Sequence, residues 1–352
     1  MNVTARMWRI VACSCATFAL YGTLASSGAA PWYTTPVGVF EVQIAPGSMA
    51  IPAVTAFSIP LRSEVPADFT GQASGRISGV LASSITCTSA GWQPGALSQA
   101  SRPFFLRITS GNARGRTLLI SSGVSNTSDT VTVLNQGTDL TGLGITVGES
   151  GDSFEIFPGH TLSSFFGTST LGAASPDAAD TVLLHNGVGW RTYYFNSTVG
   201  QWRTGSFPLS QNNVVIRPDD GVLFYRRGSS PLAYTLWGTV PSVDLKIVVR
   251  NLGVTFVGGV YPVEQTLNSA AYNTLSNWRT AGDVSTADKV TIYEGVGFKQ
   301  YNYNLSAGQW RRGSLPLNQN NVVIPSGTPV IIERTGEASG ISILERPLPY
   351  TL

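Results

Sequence analysis

From residue 36 onward the chain is written in short apolar and polar alternations, four to nine residues long and separated by Gly, Pro, Asn and Ser. Side chains in a strand alternate between faces, so this period of two predicts strands. PVGVFEVQIA (36–45) and AVTAFSIPL (53–61) read as the first two, with a polar loop over 63–75. RISGV, SSITCT, PFFLRITSG, RTLLISS, DTVTVL and DSFEIFP follow up to residue 158, each rich in β-branched or aromatic residues. SGNARG (110–115) is a hairpin turn candidate, because Gly at positions 111 and 115 permits positive φ. Further on, TVLLH, WRTYYF, GQWR, NVVI, VLFYRR and AYTLWGTV read as six strands between 181 and 240. VDLKIVVR and VTFVGGVYP read as a hairpin around Asn251-Leu252-Gly253. Two stretches break the period: TLSSFFG (161–167) and TLNSAAYNTLSNW (266–278) each start with Thr before an apolar run, a helix N-cap signal, and predict one short helical turn each.

One pattern occurs twice. Asp180–Gly228 and Asp288–Gly336 align without a gap at an offset of 108 residues, with 24 of 49 positions identical. Comparing the copies separates the faces. Val182 and Leu184 match Val290 and Ile292, whereas Leu183 and His185 vary to Thr291 and Tyr293. Tyr193 and Phe195 match Tyr301 and Tyr303, while Thr192 and Tyr194 vary to Gln300 and Asn302. Val222, Phe224 and Arg226 share a face and match Val330, Ile332 and Arg334. The matched faces are expected in the core and the variable ones in solvent. Asp180 and Asp288 are identical across the copies, as are Arg226 and Arg334, so an ion pair at the rim of each unit is expected. Each unit is expected to open with a leading strand, DSFEIFP in the first and VTFVGGVYP in the second.

These signals predict an all-β protein: sandwich or barrel-like β-domains with a duplicated β-meander unit and short helical turns. The expected division is a signal peptide at 1–29, an N-terminal β-domain at 31–150, a first repeat unit at 151–241 and a second at 242–352. The signal peptide rests on Arg6 and Arg9, the apolar stretch Ile10–Leu24, and the small residues at 25–30. No second apolar stretch reaches the roughly 20 residues of a spanning helix, so no transmembrane segment is expected after it.

Composition narrows the chemistry. Only 12% of residues are charged, and 22 Lys and Arg against 20 Asp and Glu give a net charge of +2 without a basic run. Nucleic-acid binding therefore lacks its electrostatic footprint. Cys87 is the single Cys beyond the signal segment, and its expected role is a small buried hydrophobe. With two His in 352 residues, a structural zinc site is not expected, and no cofactor is. The second copy has Ser326-Gly327-Thr328-Pro329 at the place of the Asp219-Asp220 doublet, so the doublet is not part of the unit; it reads as a solvated turn, since Asp and Gly favour turns. No Gly-x-Ser-x-Gly elbow or phosphate loop occurs. Aromatic platforms beside amides suit sugar rings. On that ground Trp190, Trp202, Asn212 and Asn213, with Trp310, Asn320 and Asn321, are the candidate glycan-binding residues. The competing expectation is a core Trp in each GQWR and a hydrogen-bonded turn in each QNN.

GDSFEIFPGHTLSSFFG, the D-x-V strand, the G-x-G-W hairpin, the G-x-W strand and the closing strand ending in Arg resemble an uncharacterised group of secreted, repeat-containing β-rich proteins from Verrucomicrobia and related bacteria. TPVG at 35–38 fits that pattern, while Val254-Thr255-Phe256 departs from it in lacking a preceding Gly-Asp. The resemblance implies class and compartment and no activity. The expected function is therefore a secreted, non-catalytic structural or interaction protein of the cell envelope or extracellular space, with glycan or other envelope proteins as partners. A glycan-binding module is the first alternative, and a hydrolase with an unrecognised site the second.

Overall fold

Backbone amides in short alternating segments are satisfied by pairing with other strands, and among the described residues all the strand ladders are antiparallel. The computed structural model describes residues 36–281, 285–336 and 340–351. The expected signal peptide lies outside them. The fold is an all-β sandwich, with antiparallel sheets, short helical turns and no closed barrel among the described residues. No helix there is long and apolar enough to cross a membrane.

The two copies build the same arrangement. In the first, Thr181–His185 lies between Trp190–Asn196 and Val222–Arg226, with Gln201–Arg203 at one edge and Ala53–Phe57 at the other. In the second, Lys289–Tyr293 lies between Phe298–Asn304 and Val330–Thr335, with Gln309–Arg311 and Leu252–Val257 at the edges. Gly187 and Gly295 turn the matching hairpins at φ 86° and 79°, where a Cβ would be strained. A two-stranded ribbon packs over each five-stranded sheet: Val37–Ile44 with Leu232–Thr239, and Leu245–Arg250 with Ile341–Arg346. Between sheet and ribbon lies a core. In the first unit it includes Val42, Ile44, Val182, Trp202 and Phe224. In the second it includes Ile247, Val249, Val290, Trp310 and Ile332.

Several sequence expectations are revised. VDLKIVVR and VTFVGGVYP do not pair with each other; the former joins the C-terminal strand and the latter joins Val330–Thr335. AYTLWGTV leaves the meander for the strand at 37–44. DSFEIFP is not the equivalent of VTFVGGVYP: Ser153–Pro158 pairs with Arg102–Ile108 and Ser74–Arg76 in an eight-stranded sheet. The true counterpart of Leu252–Val257 is Ala53–Phe57, paired with the matching strand. The reason is common to all three. Alternation makes a segment a strand, but its partner is chosen by burial that only the assembled chain provides.

The sheet at 74–158 therefore interrupts the first unit. Between the ends of Phe57 and His160 lie 102 residues, against seven between Val257 and Gln265. This segment has its own core of Ile85, Phe104, Leu118, Val131 and Phe154, with Cys87 buried in it. After it the chain resumes the shared plan. Thr161 and Ser164 form a capping box at the helix Leu162–Phe166, and Thr266 and Ser269 exchange the same pair of bonds.

The units meet through a near-symmetric seam. Ser58 N–H donates to the Gly327 carbonyl at 2.8 Å, and Gly258 N–H donates to the Asp219 carbonyl at 2.8 Å. Strand register makes Ser58 equivalent to Gly258, and the 108-residue offset makes Asp219 equivalent to Gly327. Each unit thus gives the same two segments to the other, the pattern of an isologous contact within one chain.

Candidate functional site

The glycan candidates are placed first. Trp202 and Trp310 are 1% and 0% exposed, so neither can stack on a ligand. Trp202 packs 5.4 Å from Phe166, and Trp310 lies 5.9 Å from Trp278 and 5.5 Å from Tyr303. The Asn212 and Asn320 side-chain oxygens accept the N–H of Trp202 and Trp310 at 2.8 and 2.7 Å. Each QNN thereby pins the edge strand that carries the tryptophan. Asn213 and Asn321 are exposed, and Trp190 is 38% exposed while resting on Phe256 at 5.0 Å. The structure therefore does not bring these residues into one sugar-binding face.

The acid–base pairs lie deeper than a rim. Asp180 and Arg226 form an ion pair, and Asp288 meets Arg334 at 2.7 Å, with all four side chains buried. Asp180 also accepts the N–H groups of Leu171, Arg227 and Gly228. Asp288 accepts those of Arg279 and Thr335 and the Thr335 hydroxyl. The carboxylates are saturated, which is what permits a buried charge. They lock linker to strand and leave nothing over for a ligand. The variable face is also less solvated than expected. Tyr194 and Asn302 are buried, and the Tyr194 hydroxyl reaches the Ala174 and Gly205 carbonyls, because the linker and the following loop cover the sheet.

The concentration of chemistry lies elsewhere, where the inserted sheet meets the seam. Arg107, Arg116 and Glu155 come from the inserted sheet, Arg62 from the chain leading into it, and Arg217, Asp219 and Asp220 from a turn whose counterpart in the second copy, Pro325–Thr328, carries no charge. Arg62 pairs with Glu155, whose other oxygen is 3.7 Å from Arg107; Arg217 Nε is 3.4 Å from Asp219 Oδ1. The stacked rings of Phe105 and Phe157, 5.8 Å apart, carry Arg217 at 5.9 Å and Arg107 at 4.9 Å. Burial brings the Arg107 guanidinium down to about 10 against the pull of Glu155. Burial, and then the Asp219 charge, push the Asp220 carboxyl up to about 8, with Arg217 opposing. The Asp219-Asp220 turn is thus a seam element and not a solvated loop: its side chain at 219 is 13% exposed, and Asp220 bridges Val257.

A cleft of about 350 Å³ opens here, lined by Arg62, Arg107, Asp219 and Ile247. It is narrow, with room for roughly one water. A neighbouring cleft contains Ser63 and His160, with Ser63 Oγ 3.4 Å from His160 Nε2. Burial holds that imidazole below its ordinary range, so it is neutral at pH 7. At 3.4 Å the contact is at the limit of a hydrogen bond. Nucleophile activation needs closer contact and a third group that orients the base. Among the described residues no group of three or more His, Cys, Asp or Glu is placed to hold a metal ion. The sequence carried one signal for the arginine cluster: charges interrupting the apolar strands PFFLRITS and RTLLISS in a chain poor in charge. No family model, curated protein or solved structure matches the chain.

Proposed function

We propose that the chain is an exported, non-catalytic structural or interaction protein of the cell envelope or extracellular space. One observation carries this reading: apolar side chains stand in solvent at the same places on both units. Val188 and Val296 at the hairpin tips are 86% and 93% exposed. Phe207 and Leu209 correspond to Leu315 and Leu317, and all four are at least half exposed. Apolar tips retained at matching positions suit contact with a partner surface, since solvent exposure gives them no role in the core. The polar groups identified above are, by contrast, largely used in holding strands, linker and units together.

The test is fractionation of cells producing the native chain, together with N-terminal sequencing. The expected result is envelope or medium localisation with cleavage near Ala25 or Ala29; an intact cytoplasmic chain overturns export. Replacing Val188, Val296, Leu209 and Leu317 by Ser should leave the melting temperature unchanged and release the protein from its envelope or matrix association. Retention of that association in the folded variant overturns the interaction role. Glycan binding is the second reading and now rests on half-exposed Trp190. A polysaccharide pull-down retained by the native chain and lost in Trp190→Ala supports it; no retention removes it.

A further inference from the structure

The arginine cluster has more buried donors than acceptors. Arg62 Nε, Arg107 Nη1, both Nη atoms of Arg116, and Nε and Nη2 of Arg217 are buried without a hydrogen bond. Only Glu155 Oε1 and Asp219 Oδ1 are acceptors in the same condition, and they already face Arg107 Nη1 at 3.7 Å and Arg217 Nε at 3.4 Å, which leaves four nitrogens with no acceptor of this kind. Arg107 and Arg116 are 3% and 2% exposed, so bulk water does not reach them. The charges are equally unbalanced, with four guanidinium groups against the carboxylates of Glu155 and Asp219 and a third acid at Asp220. Ring faces at Phe105 and Phe157 soften the guanidinium charge but accept no in-plane N–H. A buried donor left without an acceptor is destabilising, and more so when it is charged. A water molecule can accept two such bonds, but it leaves the positive excess in place.

We propose that this seam binds one small monovalent anion, a halide such as chloride, against the Arg62 and Arg107 guanidinium groups in the field of Arg116 and Arg217. The cleft that Arg62 and Arg107 line has room for a body close to water in size, which disfavours sulfate, phosphate or a sugar. Among the described residues the second unit has no counterpart of the arginine cluster: Arg107 and Arg116 belong to the inserted sheet, and Pro325 stands at the equivalent of Arg217. At Gly327, the equivalent of Asp219, the ring of Phe40 occupies the space where a side chain would go. The anion would therefore bind only where the inserted sheet closes on the seam, tying three parts of the chain together. Asp219 lines the same cleft and opposes binding, so its carboxylate sets the affinity.

The direct test is anomalous diffraction from crystals of the native chain grown with bromide. A peak beside Arg62 and Arg107 is expected; its absence at high occupancy of other halide sites overturns the proposal. In solution, the melting temperature should rise saturably with chloride and not with gluconate at the same ionic strength. An equal response to both salts overturns it as well. Arg107→Lys keeps the charge but loses the fork, and the loss of one charge-assisted bond should raise the half-saturating chloride by roughly tenfold. Asp219→Asn should lower it severalfold, a change that a purely structural role would not produce. Arg191→Met, on an exposed strand position, should leave it unchanged.

Discussion

Asp180 and Asp288 illustrate how much a single residue can carry in a chain with few charges. Each is fully buried, faces an arginine and takes backbone N–H groups from two separate segments. Removing either carboxylate leaves Arg226 or Arg334 buried without its counter-charge. Asp180→Ala and Asp288→Ala should each cost about 3–5 kcal/mol in chemical denaturation. Asp220 acts in the opposite sense. Its folded-state pKa, about 8, lies above its ordinary 3.8, so the folded chain holds that proton more tightly. Stability then falls as pH rises between those values, with a slope of up to about 1.4 kcal/mol per pH unit, and levels off above the folded pKa. Asp220→Asn should flatten this dependence and stabilise the protein at pH 8–9. Urea midpoints measured from pH 5 to 9 check this, and a slope unchanged by the substitution would count against it.

Elements here are short, so their ends and edges matter. Thr161 caps a helix of five residues that places Phe165 and Phe166 in the first core. Thr161→Ala should cost about 0.5–2 kcal/mol through loss of the cap. Strand edges are held similarly: Asn212 and Asn320 seat the strands carrying Trp202 and Trp310. Trp202→Ala and Trp310→Ala should each cost about 3–5 kcal/mol as core truncations. A binding loss in these variants without a stability loss would return the tryptophans to a ligand role. At this scale the face comparison was informative for Val182, Val290, Phe224 and Ile332, all fully buried. It misled for Tyr194 and Asn302. Their variability between copies follows from different covering segments, which periodicity within a strand does not contain.

At the scale of the molecule, the seam between units is tight at several glycines, among them Gly221 against Phe256, Gly258 against the Asp220 carbonyl, and Gly327. Gly327 has φ 67°, and a Cβ there would overlap the ring of Phe40. Gly327→Ala should destabilise by about 1–3 kcal/mol and broaden or split the calorimetric transition. Adding Phe40→Ala should recover part of the loss, since it removes the ring but not the backbone strain. A single sharp transition with no loss of stability in Gly327→Ala would show that the seam does not depend on this contact.

The sequence by itself determined the class of fold, the positions of most strands, both helical turns, and which residues recur across the two copies. These depend on side-chain alternation, on Thr before an apolar run, and on turn residues, all of which act within a few positions along the chain. Asp180 with Arg226 and Asp288 with Arg334 were legible because recurrence marks positions that the same local architecture holds in place. Only the tertiary structure decided that these pairs are buried, that 37–44 pairs with 232–239, and that 74–158 interrupts the first unit. It also decided that Arg62, Arg107, Arg116 and Arg217 share one seam. Arg107 and Arg116 flank one hairpin and are neighbours for a local reason, but Arg62 and Arg217 join them only through the packing of three cores, which no local pattern encodes.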